Sequence, residues 1–102
     1  MSWNTPLSVE EELRPEVEDA IKRILIAELE IEPSIIAHAS TTTPLLGHGI
    51  GLDSMEALTL AMGLEEELDI EIADDELTAD LFENIGTLAE YILKKTSERK
   101  GL

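Results

Sequence analysis

The sequence predicts an all-α fold in a single domain, and three observations support this prediction. The apolar residues are mostly Leu, Ile and Ala, and strong helix formers lie among them. Aromatic residues are few, with one Phe, one Tyr and one Trp. The chain has 102 residues, which is enough for one small domain with its own hydrophobic core. We therefore expect helices packed around one core.

The N-terminal part of the chain predicts a flexible leader followed by the first helix. Residues 1–14 are polar and acidic, although Ser8-Val9-Glu10-Glu11 has the form of a capping box and could begin a short helix. Pro15 suits the first position of a helix, and apolar residues then recur at helical spacing as Val17, Ile21, Ile24, Leu25 and Ile31. The first helix is expected from about residue 15 to residue 30.

A long loop is expected over residues 32–52. Proline, a run of threonines and three glycines interrupt the helical spacing there. A loop of this length in a small domain is usually functional or packs as a compact Ω-like loop. Glycine allows tight turns and the close approach of another molecule to the backbone, so we expect these roles for Gly47, Gly49 and Gly51.

The second helix, expected from Asp53 or Ser54 to about Asp69, carries two apolar stripes. One stripe is wide enough to bury the helix against the core, and it comprises Ala57, Leu60, Ala61, Leu64 and Leu68. The other lies roughly opposite, and it comprises Met55, Leu58 and Met62, followed by Glu65, Glu66 and Asp69. An apolar stripe bordered by acids indicates a docking surface for a basic partner. The alternative is a domain that buries this helix on both sides, with the methionines in the core.

Two further helices complete the predicted domain. A brief third helix can begin at Asp74-Asp75-Glu76. Thr87-Leu88-Ala89-Glu90 has the form of a capping box and predicts the start of the last helix. Basic residues near the end of that helix are favoured by its macrodipole. Residues 97–102 are expected to form a polar tail.

The charge distribution predicts basic protein partners. The chain has 23 Asp and Glu against 7 Lys and Arg, and no Lys or Arg occurs between Arg23 and Lys94. Such a surface repels nucleic acids and anionic lipids and attracts basic patches, and like charge on most faces favours a monomer. The sequence contains no apolar run long enough to span a membrane and no secretory signal, so we expect no membrane insertion and a cytoplasmic location.

Ser54 lies where the glycine loop meets the second helix. The plainest interpretation of this junction is a helix start, with Asp53 as the N-cap and Glu56 as its capping-box partner. That interpretation assigns a role to Asp53 and Glu56 but none to the side chain of Ser54. Its hydroxyl would stand at the positive end of the helix, where an attached phosphate is tolerated.

Leu52-Asp53-Ser54-Met55-Glu56, followed by Leu64-Glu65-Glu66-Glu67-Leu68-Asp69-Ile70-Glu71-Ile72, resembles the signature of the acyl carrier proteins. The resemblance spans about residues 15 to 95 and includes the order of the helices. It implies an acyl carrier domain over residues 15–96. It also implies a four-helix bundle with a long loop between helices one and two and a short third helix.

The resemblance implies that Ser54 bears a covalent 4′-phosphopantetheine, which a phosphopantetheinyl transferase attaches from coenzyme A. The chain has no cysteine, so this arm would supply the thiol that holds acyl groups as thioesters. Implied partners are acyl-transferring, ketosynthase-type or ligase enzymes of fatty acid or specialised lipid or polyketide biosynthesis. Asp53 would help the transferase to hold its metal ion. The implied recognition residues are Asp53, Met55, Glu56, Leu58, Met62, Glu65 and Glu66.

Departures from the family pattern leave the pathway open. Thr59 stands where carriers of fatty acid synthesis usually have an acid, Gly63 stands where Ala is common, and Ala73 replaces a familiar proline. An aminoacyl or peptidyl carrier, or an acidic helical adaptor without a prosthetic group, remains an alternative.

No enzyme activity and no metal site are expected. The sequence lacks the Gly-x-Ser-x-Gly turn that would make a nucleophile of Ser54 with His48 as its base. His38 and His48 are interpreted as solvated loop residues, because no Cys or close His accompanies them.

Overall fold

The computed structural model describes residues 9–99, and side chains from residue 11 onwards. Within that range the chain forms four α-helices, two short 3₁₀ helices and no β-strand, apart from an isolated bridge between Leu46 and Leu52. The helices are α1 (Val9–Ala27), α2 (Pro33–Ala37), α3 (Ser54–Leu68) and α4 (Ile85–Arg99), and the 3₁₀ helices are Asp74–Glu76 and Ala79–Phe82. The predicted all-α fold is confirmed.

Helix α1 begins at Val9, six residues before the predicted start. Pro15 therefore lies inside the helix and not at its first position. Proline has no N–H, so Pro15 removes one hydrogen bond from the helix ladder. The remaining hydrogen bonds of this 19-residue helix outweigh that loss. Residues 1–8 of the predicted leader, including the first residue of the alternative capping box, lie outside the described residues.

The end of α1 at Ala27 comes three residues before the predicted end. Glu30 adopts a left-handed backbone conformation with φ of 57°, which turns the chain away from the helix axis. The N–H of Ile31 then donates to the carbonyl of Leu25 at 2.9 Å, so the turn satisfies a carbonyl near the helix terminus.

Buried apolar side chains from α1, α3 and α4 form one core. The predicted inner stripe of the second helix is confirmed, because Ala57, Leu60, Ala61 and Leu64 are buried and Leu68 is half-buried. They pack in one cluster with Val17, Ile21, Ile24 and Leu25 of α1 and with Leu88, Ala89, Ile92 and Leu93 of α4. Leu81 and Phe82 join this cluster and fix the end of the second 3₁₀ helix.

Gly63 lies at the contact between α3 and α1. A Cβ atom at this position would stand 3.2 Å from both Cδ1 and Cγ2 of Ile24 and 3.4 Å from a carboxylate oxygen of Glu28. The two helices therefore approach each other closely where α3 has no side chain, and this packing explains why glycine occupies an interior helix position despite its low helix propensity.

Helix α2 was not predicted, since residues 33–37 fall within the expected loop. Pro33 occupies a position in its first turn, where its fixed φ and missing N–H are tolerated. Ile36 is buried in the main core. The helix ends at Ala37. The next residue, His38, is its C-cap, and its ring Nδ1 hydrogen-bonds the backbone carbonyl of Ser34 at 2.8 Å.

Helix α4 begins at Ile85, so the predicted capping box at Thr87 and Glu90 is wrong. Asn84 immediately precedes the helix, and its Oδ1 accepts the N–H of Thr87 at 2.7 Å. The other N–H groups of the first turn also have acceptors. The N–H of Ile85 donates to the carbonyl of Thr43 at 3.1 Å, and the N–H of Gly86 donates to the carbonyl of Thr41 at 2.7 Å. The N–H of Leu88 donates to the carbonyl of Asn84 at 3.2 Å. The loop after α2 is thereby joined to the start of α4.

Within residues 9–99, four basic side chains link different elements through ion pairs. Arg14 of α1 pairs with Glu90 of α4, and Arg23 of α1 pairs with Glu67 of α3. Arg99 at the end of α4 pairs with Asp69, and Lys95 pairs with Glu76 at 3.4 Å. Helix α4 continues through residues 97–99, which were expected to belong to the polar tail. Across the described residues, no helix is long and apolar enough to cross a membrane.

Candidate functional site

The capping box at the start of α3 fixes the position of Ser54. The N–H of Glu56 donates to Oδ1 of Asp53 at 2.8 Å, and the N–H of Asp53 donates to Oε1 of Glu56 at 3.0 Å. Asp53 is therefore the N-cap and Ser54 the first helical residue, as predicted. These reciprocal bonds hold the chain at one angle where the loop enters the helix.

Ser54 is exposed, and its hydroxyl makes no hydrogen bond with any residue that the structure describes. The first N–H groups of a helix have no intrahelical acceptor and carry the positive end of the macrodipole. The Ser54 hydroxyl therefore stands in a setting that favours an anion, although the carboxylates of Asp53 and Glu56 lie within the same turn.

The glycines before Ser54 shape a tight loop. Gly47, Gly49 and Gly51 all have positive φ, at 61°, 79° and 86°, which residues with side chains rarely adopt. Gly49 has a second constraint, because a Cβ atom there would stand 2.4 Å from the carbonyl oxygen of Pro44. Two backbone bonds of 2.9 Å close the loop, from the N–H of Ile50 to Pro44 and from the N–H of Leu52 to Leu45.

An apolar cavity of about 280 Å³ lies beside Ser54, between α3 and the segment that contains the 3₁₀ helices. Its lining is mostly aliphatic and aromatic, from Leu46, Ala57, Leu58, Leu77, Ala79 and Phe82. The hydroxyl-bearing residues Ser54 and Thr78 also line it. This cavity is nearly twice the size of one that holds a benzene molecule, at about 150 Å³.

The outer face of α3 exposes three large apolar side chains. The exposed fractions are 73% for Met55, 42% for Leu58 and 59% for Met62. They lie on one face because they are three and four residues apart. The alternative in which the methionines belong to the core is therefore wrong, and the predicted second stripe faces solvent.

The acids of this face differ in what their carboxylates do. Glu66 is exposed. Glu65 is half-buried, and its Oε2 accepts the N–H of Ile72 at 2.8 Å. Glu56 is engaged in the capping box. Thr59, which replaces the familiar acid, donates its hydroxyl to the carbonyl of Met55 at 3.1 Å. Glu56 and Glu65 therefore hold local structure as well as contributing negative charge.

A cluster of Glu76, Tyr91 and Lys95 fastens the first 3₁₀ helix to α4. The Tyr91 hydroxyl donates to Glu76, and Lys95 lies 3.4 Å from the same carboxylate and 5.5 Å from the centre of the Tyr91 ring. The hydrogen bond from Tyr91 is the main cause that lowers the pKa of Glu76. Burial, followed by this bond and the charge of Glu76, raises the pKa of Tyr91 above its usual value.

The two histidines lie on the surface. His38 and His48 are both exposed, and no hydrogen bond links His48 to Ser54. The described residues contain no group of three His, Asp or Glu side chains positioned to hold a metal ion.

The sequence did not predict the residues that form the far wall of the cavity, or the cluster that fastens this wall to α4. Leu77 and Phe82 are apolar residues within an acidic stretch, and this pattern could have indicated that they face the interior. The contact between Glu76 and Tyr91 joins residues 15 apart in different elements, so no local pattern predicts it.

The sequence is similar to those of known proteins. Residues 19–92 match the protein family described as "Phosphopantetheine attachment site". An acyl carrier protein of Clostridium perfringens is 34% identical over 80 residues, which cover 78% of this chain and 97% of that protein. An acyl carrier protein of Caulobacter vibrioides is 29% identical over 79 residues, which cover 78% of this chain and 94% of that protein. No solved structure matches the chain significantly.

Proposed function

Because the chain belongs to the acyl carrier protein family, which bears phosphopantetheine, we propose that Ser54 is the residue to which this group is attached. The chain acts as an acyl carrier, and 4′-phosphopantetheine is its cofactor. One observation carries the assignment to Ser54. Its exposed hydroxyl has no hydrogen-bonding partner among the described residues, stands at the positive end of α3 and lines an apolar cavity.

The residues around Ser54 fit the arm. A phosphodiester at the start of α3 is favoured by the helix dipole and by N–H groups that have no intrahelical acceptor. Gly49 and Gly51, in the loop that precedes Ser54, are exposed and carry no side chains. When attached, the arm supplies a thiol that holds acyl groups as thioesters. The chain has no thiol of its own, because it contains no cysteine.

The cavity beside Ser54 gives the acyl cargo a place away from water. Burying an apolar chain there is favourable by about 0.8 kcal/mol per methylene group. The described lining is mostly apolar, and Ser54 and Thr78 are its hydroxyl-bearing residues. An acyl cargo suits this lining better than an aminoacyl or peptidyl cargo, whose amine or amide groups would lose their hydrogen bonds to water.

The exposed face of α3 is the proposed recognition surface. Met55, Leu58 and Met62 would enter an apolar groove of the partner, while Asp53, Glu56, Glu65 and Glu66 meet its basic residues. The proposed partners are the phosphopantetheinyl transferase and acyl-transferring, ketosynthase-type or ligase enzymes. In this proposal the chain itself catalyses no reaction, works as a cytoplasmic monomer and serves fatty acid or specialised lipid or polyketide biosynthesis.

Intact mass spectrometry tests the attachment site. The full chain is incubated with coenzyme A and a broad-specificity phosphopantetheinyl transferase, and its mass should rise by a single phosphopantetheinyl group. Ser54→Ala should show no increase while its circular dichroism stays helical. Ser34→Ala is the matched control, since Ser34 is also exposed, and it should be modified like the parent.

Other outcomes would contradict the proposal in distinct ways. Modification of Ser54→Ala would move the attachment site to another residue. No mass increase on any variant would favour an acidic helical adaptor, and the exposed stripe of α3 would then be its working surface.

A further inference from the structure

The segment of residues 74–82, here called the wall segment, forms one side of the cavity beside Ser54. Leu77, Thr78, Ala79 and Phe82 of this segment line the cavity, and they face α3 across it. The shape of the cavity therefore depends on where the wall segment stands relative to α3.

The wall segment has open space on its other side as well. A second hollow of about 500 Å³ lies between it and α4, and Thr78 lines both spaces. Protein interiors resist movement because they are close-packed, and a segment flanked by two open spaces lacks that restraint. Its exposed residues, Asp75, Thr78, Ala79 and Asp80, lack the restraint that holds Leu81 and Phe82 in the core and Leu77 against it.

Most backbone hydrogen bonds of the wall segment are local. The N–H groups of Leu77, Thr78 and Leu81 donate to carbonyls two or three residues earlier in the same segment. Its ends are fastened, since Ile72 just before it bonds Glu65 and Phe82 is buried in the core. Between these ends, Glu76 makes the polar contacts with α4.

We propose that Glu76, Tyr91 and Lys95 form a tether that holds the wall segment against α4 and thereby sets how well the cavity shelters the acyl cargo. The Tyr91 hydroxyl and the Lys95 ammonium group converge on one carboxylate of the wall segment. Glu76 immediately precedes Leu77 in the cavity lining, so displacement of Glu76 moves that lining. Glu76 and Tyr91 are positioning residues, because they act on the cargo through the wall. The effect on cargo rests on attachment at Ser54, whereas the tether itself does not.

Hydrogen–deuterium exchange of the unmodified full chain tests the tether without any cargo. Tyr91→Phe removes only the hydroxyl, and it should speed exchange of the amides of Leu77, Thr78 and Leu81 about fivefold, the factor for one ordinary hydrogen bond. Amides in the middle of α1 should exchange as in the parent. Asp69→Asn is the matched control, because it removes a different ion pair with α4 outside the cavity lining.

A conservative variant separates the tether from a general packing role. Glu76→Gln keeps an acceptor for the Tyr91 hydroxyl, so its exchange should lie closer to the parent than that of Glu76→Ala. Equal exchange of the wall segment in the parent, Tyr91→Phe and Glu76→Ala would overturn the tether. Faster exchange spread over the whole chain would overturn it as well, because it would report global destabilisation.

The effect on cargo is measured on the chain loaded with an octanoyl-phosphopantetheine arm from octanoyl-coenzyme A. Hydroxylamine attacks the thioester carbonyl, the thiol of the arm leaves, and octanoyl hydroxamate forms. Tyr91→Phe should raise this rate about fivefold over the parent and over Asp69→Asn. Equal rates would overturn the role in sheltering. Failure to load any variant would instead overturn attachment at Ser54, and the exchange result would still decide the tether.

Discussion

At the scale of single residues, burial and the contact with Glu76 raise the pKa of Tyr91. It is the only tyrosine of the chain, and its hydroxyl donates to Glu76 in a partly buried site. Burial and the nearby charges of Glu76, Asp75 and Glu65 all raise the pKa of Tyr91, while Lys95 over the ring favours the phenolate.

An alkaline titration should show this shift directly. The phenolate absorbance belongs to Tyr91 alone, so its midpoint in the folded chain should lie well above the ordinary value of about 10. A raised pKa means that the contribution to stability is complete below about pH 10 and is lost as the pH rises through the folded value. Glu76→Gln should bring the midpoint down, and an unshifted midpoint in the parent would contradict the observed contact.

Glu76 determines the pH below which the contact with Tyr91 stops contributing to stability. Its pKa is lowered in the folded state, so its contribution is present above the ordinary glutamate value of about 4.3 and is lost as the pH falls through the lower folded value. The contact between Glu76 and Tyr91 therefore stabilises the fold from weakly acidic to moderately alkaline pH.

Among the elements, α3 has two faces with different tasks, and its outer face can be tested alone. Met62→Gln replaces an exposed apolar side chain by a polar one of similar length, and it should lower kcat/KM for phosphopantetheinylation about fivefold through lost apolar contact. Ile35→Gln is the control, because Ile35 is 44% exposed but lies on α2. Equal effects of both substitutions would argue against a specific recognition face.

The contact of α3 with α1 predicts an unusual response at Gly63. Alanine in a helix interior is favoured over glycine by about 1 kcal/mol, but here its Cβ would press on Ile24 in the core. Gly63→Ala alone should therefore give no gain in the free energy of unfolding by urea. In an Ile24→Val background, which removes Cδ1, the same substitution should be more favourable. Strict additivity of the two changes would contradict the close contact.

Local chemistry explains which elements could be predicted from the sequence. The start of α3 was predictable because Asp53 and Glu56 satisfy each other within one turn. Helix α2 was not, since a five-residue helix depends on burying Ile36 and not on its own propensity. Pro15 misled the prediction of α1, because a proline at the first position and one inside a longer helix look alike in sequence.

The same distinction holds for the candidate site. The place of Ser54 at the start of α3 and the exposed stripe of that helix follow from the local sequence, so they were predictable. The role of Ser54 as the attachment site came from the family resemblance and stays a prediction. The cavity joins α3 to Leu46 and to the segment of residues 77–82, and the tether joins that segment to α4. These are contacts between elements, and only the packed fold reveals them.

At the scale of the whole molecule, negative charge opposes the compact state. The formal net charge is −16. Among the described residues, the interelement ion pairs named above engage Glu67, Asp69, Glu76 and Glu90. Exposed ion pairs contribute about 0–1 kcal/mol each. Mutual repulsion of the remaining carboxylates therefore outweighs what the pairs contribute.

Added salt should consequently stabilise the fold. The Debye length falls from about 10 Å at 0.1 M to about 3 Å at 1 M, so sodium chloride screens the repulsion over this range. We expect Tm to rise by about 4 °C or more, which corresponds to about 1 kcal/mol in a domain of this size. An uncharged osmolyte at equal osmolality should raise it less. A fall in Tm with salt would show that the ion pairs outweigh the repulsion.

The position of Gly49 has a consequence for how the sequence tolerates change. In a library that varies every residue, solvent exposure usually marks the positions where most amino acids survive selection. Gly49 is exposed, yet its φ of 79° and the carbonyl of Pro44 leave no room for a Cβ atom. It should therefore be as intolerant as a buried leucine, and a search for permissive surface sites would be misled there.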